Sequence, residues 1–78
     1  MAELIPIEVK HTIKDLRVRA GLSQYEACAK LGITPPTLRK WESDSSNLSL
    51  RKLEAISNLY QIPIEYIYVG PDDYYKQK

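Results

Sequence analysis

The chain has 78 residues, 44% of them hydrophobic and 27% charged, and its 11 lysines and arginines against 10 aspartates and glutamates give a formal net charge of +1. A chain this short builds one compact domain, with a core too small to enclose a deep substrate cavity. A net charge so close to zero supplies no global attraction to nucleic acid or membrane, so any polyanion must be met by a local patch.

The elements follow in chain order from capping and periodicity. Residues 1–7, with the run Leu4-Ile5-Pro6-Ile7, form either a short strand or an N-terminal arm. Val9, Ile13, Leu16 and Ala20 recur at 3–4 spacing and predict a first helix over residues 8–20. Ser23 with Glu26 forms a capping box, in which the hydroxyl covers the N3 amide and the carboxylate reaches back, and predicts a second helix over residues 24–31. Gly32 suits the left-handed residue that ends it. Thr34 is an N-cap ahead of Pro35, whose fixed φ suits a first turn, and predicts a third helix over residues 35–42. After the polar loop 43–47, Ser49 caps a fourth helix over residues 50–60, with Leu48 and Leu53 as a hydrophobic staple. Leu50, Leu53, Ile56, Leu59 and Tyr60 would face inward from it. A short fifth helix near residues 64–69 precedes Gly70, and residues 71–78 form a mobile tail. Helices this short do not persist alone in water, so each must lay its apolar stripe on the others. The predicted fold is all-α, a compact five-helix bundle over residues 8–70.

Several kinds of chemistry are missing. Cys28 is the only cysteine and His11 the only histidine, which excludes an internal disulfide and a zinc site of the usual Cys/His kind. Cys28 is expected as a small buried packing residue, and His11 as an exposed residue of the first helix. Asp72-Asp73 is too sparse for a calcium loop. With no Ser/His/Asp or Cys/His set and no glycine loop for phosphate, neither an enzyme nor a cofactor nor a metal is expected. No apolar run approaches the roughly 18 residues of a membrane span. The first ten residues lack the basic and apolar regions of a secretory leader, so a cytoplasmic chain with no membrane partner is expected.

The informative stretch is residues 21–42, two short helices joined by Gly32-Ile33-Thr34. So tight a join forces a steep crossing, and a steep crossing needs a small residue at closest approach. Cys28 lies four residues from both Gln24 and Gly32 and has the required size. Leu38 and Trp41, at i and i+3, mark the inward face of the third helix, and Ile33 can staple to Leu38. This is a helix-turn-helix, which presents its second helix outward.

The segment resembles the helix-turn-helix of the phage repressor/Cro family, the XRE-like regulators. The resemblance is carried by Gly21-Leu-Ser-Gln, by the spacing Gln24, Cys28, Gly32, Leu38, Trp41, and by the Trp41-Glu42 close. Downstream, Leu59-Tyr-Gln-Ile-Pro-Ile-Glu-Tyr-Ile67 is similar to the family's fourth-to-fifth helix junction, so the likeness covers roughly residues 10–69.

The resemblance implies a DNA-binding transcriptional regulator, a repressor or Cro-like switch of phage or plasmid type, acting on a double-stranded operator as a homodimer. Its third helix would lie in the major groove, with base contacts at Pro35, Pro36 and Lys40 and with Thr37 and Arg39 beside them. Well-known members carry amide side chains where this chain has Pro35 and Pro36, which offer only apolar contact, as to a thymine methyl. Hydrogen-bond readout then rests on Lys40, Arg39 and Thr37. Gln24, Thr34, Ser43, Ser45, Ser46 and Asn47 would meet phosphates, with Asp44 opposing, and Lys14, Arg19 and Lys30 could add to them. The family pairs the positions of Arg17 and Glu42 in a partly buried salt bridge, and commonly dimerises near the fifth helix, where Tyr66, Tyr68 and the tail pair Tyr74-Tyr75 lie. The alternative is a protein-interaction module on the same fold, partner to an antirepressor or toxin, which near-zero charge and the two prolines would suit.

Overall fold

The computed structural model describes residue 6 and residues 9–71. Four α-helices follow one another, α1 (Ile13–Arg19), α2 (Gln24–Leu31), α3 (Pro35–Ser43) and α4 (Leu50–Tyr60), and a 3₁₀ turn at Ile64–Tyr66 comes after them. The described residues contain no strand, only two isolated bridges, His11 to Ile67 and Asp44 to Pro71. Of the expected arm and tail only residue 6 and Pro71 are described; Leu4, Tyr74 and Tyr75 lie outside the described residues.

Caps place the two middle helices where local chemistry demands. Ser23 Oγ accepts from Glu26 N at 3.1 Å while Glu26 Oε1 accepts from Ser23 N at 2.8 Å, a complete capping box for α2. Gly32, at φ 71°, closes α2 and donates its N–H to the Cys28 carbonyl at 2.8 Å. Thr34 holds the N-cap position of α3, yet its side chain caps no amide. A cap oxygen serves the N2 or N3 amide; N2 is Pro36, which has none, and at N3 Thr34 Oγ1 lies 2.9 Å from Thr37 Oγ1 in place of the Thr37 amide. Ser49 caps α4 through Lys52 N at 3.3 Å.

Both ends of the chain depart from the expected helices. α1 begins at Ile13 and not at residue 8, because Thr12 is extended and its Oγ1 accepts from Asp15 N at 3.0 Å. Ahead of it the backbone pairs across the fold: His11 N donates to Tyr66 O and Tyr68 N donates to His11 O, both at 2.8 Å. His11 is therefore not a residue of the first helix. Its Nδ1 lies 2.7 Å from Asp15 Oδ2, an oxygen that also accepts from Arg19 Nε at 2.8 Å. Val9 and Ala20, expected on the inner stripe, are exposed. The expected fifth helix is one 3₁₀ turn followed by extended chain, so the described residues form four α-helices, not five. The run Ile64-Glu-Tyr-Ile-Tyr-Val69 is rich in β-branched and aromatic residues, which favour extended backbone, and pairing with His11 satisfies it.

One cluster fills the interior: Ile13 and Leu16 from α1, Ala27 and Cys28 from α2, Leu38 from α3, Ile56 from α4, and Ile67. Leu53 and Tyr60 pack against it, but Leu50, expected inward, is 65% exposed. Leu50 is the first residue of its helix, one turn short of the layer where α4 meets the core.

Gly70 closes the chain onto the loop after α3. Ser45 N donates to Gly70 O at 3.1 Å, and Gly70 N donates to Ser45 Oγ at 3.1 Å. Its φ is +151°, and a Cβ there would stand 2.6 Å from the Tyr68 hydroxyl and 3.0 Å from Tyr68 Cζ. Gly70→Ala is expected to destabilise the protein by about 1–3 kcal/mol through overpacking and backbone strain. Thermal unfolding should show a midpoint lowered by roughly 4–8 °C per kcal/mol; an unchanged midpoint would contradict this closure.

Candidate nucleic-acid interface

The roll of α3 about its own axis is set by two residues. Leu38 is wholly buried, and four residues later Glu42 turns inward with a side chain only 6% exposed. A carboxylate that far from water needs a partner. Arg17 of α1 supplies it: Nε donates to Glu42 Oε2 at 2.7 Å, Nη2 to Oε1 at 3.4 Å, and Nη1 to the Leu22 carbonyl at 3.0 Å. One guanidinium thus joins α1, the turn before α2 and the end of α3. The hydrogen bond that Arg17 donates to Glu42 outweighs burial and raises the Arg17 pKa above its ordinary value. Trp41 packs half-buried against the core, and Lys52 Nζ lies over its ring, 5.6 Å from the centroid.

With Leu38 and Glu42 inside, Pro36, Arg39 and Lys40 are exposed, while Pro35 and Thr37 are half-buried. Pro36 and Lys40, four apart, share one helical face. Gln24, at the first turn of α2, is half-buried beside the same edge of the fold and lines one recess together with Arg39 and Ser43. A helix start of this kind offers free N–H groups and a positive dipole end to an anion. Thr34 is exposed, its hydroxyl engaged with Thr37.

The loop after α3 divides into outward and inward residues. Ser43 and Asn47 are exposed. Asp44 Oδ1 accepts from Ser46 N at 2.9 Å and from Ser46 Oγ at 2.6 Å, and these bonds, the side-chain one first, hold the Asp44 carboxyl below its usual range. Ser45 is buried, its hydroxyl bonded within the fold to Gly70 N and within 3.3 Å of the Tyr68 carbonyl. Its side chain stands apart from the outward group and acts as the anchor of the loop. No local pattern in the sequence marks Ser45 for that task, because its partners lie 23 and 25 residues away. Of the two tyrosines near the last turn, Tyr66 is 36% exposed, whereas Tyr68 is buried and donates its hydroxyl to the Pro71 carbonyl at 3.0 Å.

Comparison with known proteins agrees with this geometry. The sequence profile of the family described as helix-turn-helix matches residues 13–67. The HTH-type transcriptional regulator ImmR of Bacillus subtilis (strain 168) is 34% identical over 65 residues, which cover 83% of this chain and 50% of that protein. The chain therefore spans about half the length of that relative. Among the described residues, no helix is long and apolar enough to cross a membrane.

Arg17→Ala leaves the Glu42 carboxylate buried without its partner and is expected to cost about 3 kcal/mol of stability. Adding Glu42→Leu to Arg17→Met should recover most of the loss, since a well-packed apolar pair removes both charges together. Urea unfolding measures both, and an Arg17→Ala midpoint equal to that of the parent would contradict the pair's role.

Proposed function

Because the chain belongs to the helix-turn-helix family of the XRE-like type, we propose that it is a sequence-specific regulator that binds double-stranded DNA with α3 in the major groove. The observation that carries this reading is the roll of α3, which turns Leu38 and Glu42 inward and leaves Pro36 and Lys40 together on an exposed face. Lys40 donates to guanine O6 and N7 and Thr37 donates beside it, while Pro36, with the half-buried Pro35, offers apolar contact to a thymine methyl. Gln24, Ser43 and Asn47, with the free amides at the start of α2, meet the phosphates that fix the register, while the Thr34 hydroxyl donates to Thr37 Oγ1 and leaves the Thr37 proton for the base. Ser46 contributes its place in the loop, its own donors being held by Asp44.

The protein acts as a two-fold dimer whose α3 helices enter successive major grooves about 34 Å apart. Exposed Leu50, Tyr66 and Val69 support a contact near the last turn, and Tyr68 serves the core instead. Its chemistry is binding alone. Repression then follows from occupancy of the operator, as in a Cro-like switch.

Selection from a random duplex pool at about 0.15 M salt tests this. A two-fold symmetric site should be enriched by the parent protein, and Lys40→Ala should relax the preference at one base pair per half-site, at a cost of about 1–3 kcal/mol. A folded protein that enriches no site would overturn the reading and turn attention to a protein partner.

A further inference from the structure

Behind the loop that leaves α3, residues 68–71 form a short strap. It starts from Ile67, which is buried in the core cluster. Tyr68 N donates to His11 O at 2.8 Å, Gly70 N donates to Ser45 Oγ at 3.1 Å, and Ser45 N donates to Gly70 O at 3.1 Å. Ser45 Oγ also lies 3.3 Å from the Tyr68 carbonyl. The Tyr68 hydroxyl folds back onto the Pro71 carbonyl at 3.0 Å, and its ring fills the space beside Gly70.

The strap ends where the candidate interface begins. Pro71 bridges to Asp44 and lines one recess together with Gln24, Arg39 and Ser43. Ser45, the residue the strap holds, stands in the loop between the exposed Ser43 and Asn47. Bonds inside the loop, from Ser46 N to Asp44 Oδ1 and from Leu48 N to Ser45 O, give it a shape without tying it to the rest of the fold. Its long-range ties run through Ser45 and the bridge of Asp44 with Pro71. These are isolated contacts and not a sheet. Opening them breaks a few hydrogen bonds and leaves Ile67 and the core in place, which puts the strap at the low-stability end of the fold.

We infer that the strap is a latch. Fastened to Ser45, it holds the loop in the shape that grips the DNA backbone; released, it lets that shape and the grip go. Ser45 and Tyr68 are therefore positioning residues that act on DNA through Ser43 and Asn47. The inference rests on the DNA-binding function proposed above and adds a control to it. Exposed Tyr66 and Val69 flank the buried pair Ile67 and Tyr68 on the same segment. A second copy seated on Tyr66 and Val69 and a duplex seated on the loop both favour the fastened state, so each raises the affinity for the other by the same factor.

Amide hydrogen exchange of the full chain tests the latch, first free and then with the duplex enriched by the parent protein at about 100 times its Kd. In the free protein the Ser45, Tyr68 and Gly70 amides should exchange together, and faster than the Leu38 and Ile56 amides of the core. Duplex that binds the fastened state alone should slow all three by about 100-fold, including Tyr68, whose partner His11 lies outside the recess. Exchange of the three at the core rate, or of Tyr68 and Gly70 as fast with duplex bound as without, would overturn the latch and leave the regulator reading intact. Ser45→Ala removes the fastening hydroxyl; Tyr68→Phe is milder, keeping the ring beside Gly70 and removing the bond to Pro71. In each, affinity for every duplex should fall by the factor by which the fastened fraction falls, read from the Gly70 amide shift, with the same site enriched. Affinity that falls while the strap stays fastened, affinity that holds after it is released, or an altered base preference would each overturn the inference. A parent protein that binds no duplex would defeat the regulator reading, and the inference with it.

Discussion

The ion pair between Arg17 and Glu42 determines how α3 is rolled, and that roll decides what the protein presents to solvent. A helix packed by apolar contact alone can turn several degrees with little change in buried area. The carboxylate of Glu42 allows no such latitude, since it must meet a guanidinium that also donates to the Leu22 carbonyl. Such a pair adds little net stability, because desolvation offsets much of the attraction. Its value is orientation. Once Glu42 points at α1, Leu38 falls into the core, Pro36 and Lys40 fall outside, and Arg39 falls on the edge between them.

A second constraint acts from the far end of the chain. Extended backbone does not satisfy its own hydrogen bonds as a helix does, so the segment after the 3₁₀ turn must find partners elsewhere. It finds them at His11, which starts the approach to α1, and at Ser45, in the loop that leaves α3. The bridge from Asp44 to Pro71 extends the second attachment. The two ends of the fold are thereby joined, and the loop after α3 is held from behind by Ser45 while Ser43 and Asn47 stay outward. Gly70 is required there because the Tyr68 ring occupies the space a Cβ would need.

Much of this was legible in the sequence where the controlling interaction is local. The capping box at Ser23 and Glu26, the left-handed Gly32, the cap at Ser49 and the i, i+3 pair Leu38 and Trp41 act within a turn or two of chain, and the helices begin and end with them. Periodicity misled where a distant partner decides. Val9 continues the spacing of Ile13 and Leu16, but cross-fold pairing of His11 with residues 66 and 68 holds the backbone before α1 in another conformation. The same pairing converts the expected last helix into one turn and an extended segment. At the candidate interface, the outward face of α3 follows from Leu38 and the 3.6-residue repeat. The inward Ser45 and the division between Tyr66 and Tyr68 depend on contacts made only in the folded chain. The separation of Arg39 from Lys40 likewise needs to be seen against α1 and α2, which supply the other walls of the recess.

The most direct test of binding through α3 is an amide-shift titration of isotopically labelled protein with a short duplex of arbitrary sequence at low ionic strength, where the phosphate interaction acts regardless of sequence. Binding through α3 predicts movement at Gln24, Thr37, Arg39, Lys40, Ser43 and Asn47, with Leu50, Tyr66 and Val69 unmoved when one protomer is bound per duplex. Movement confined to Leu50, Ile64 and Tyr66, or no movement at all in the folded protein, would contradict it.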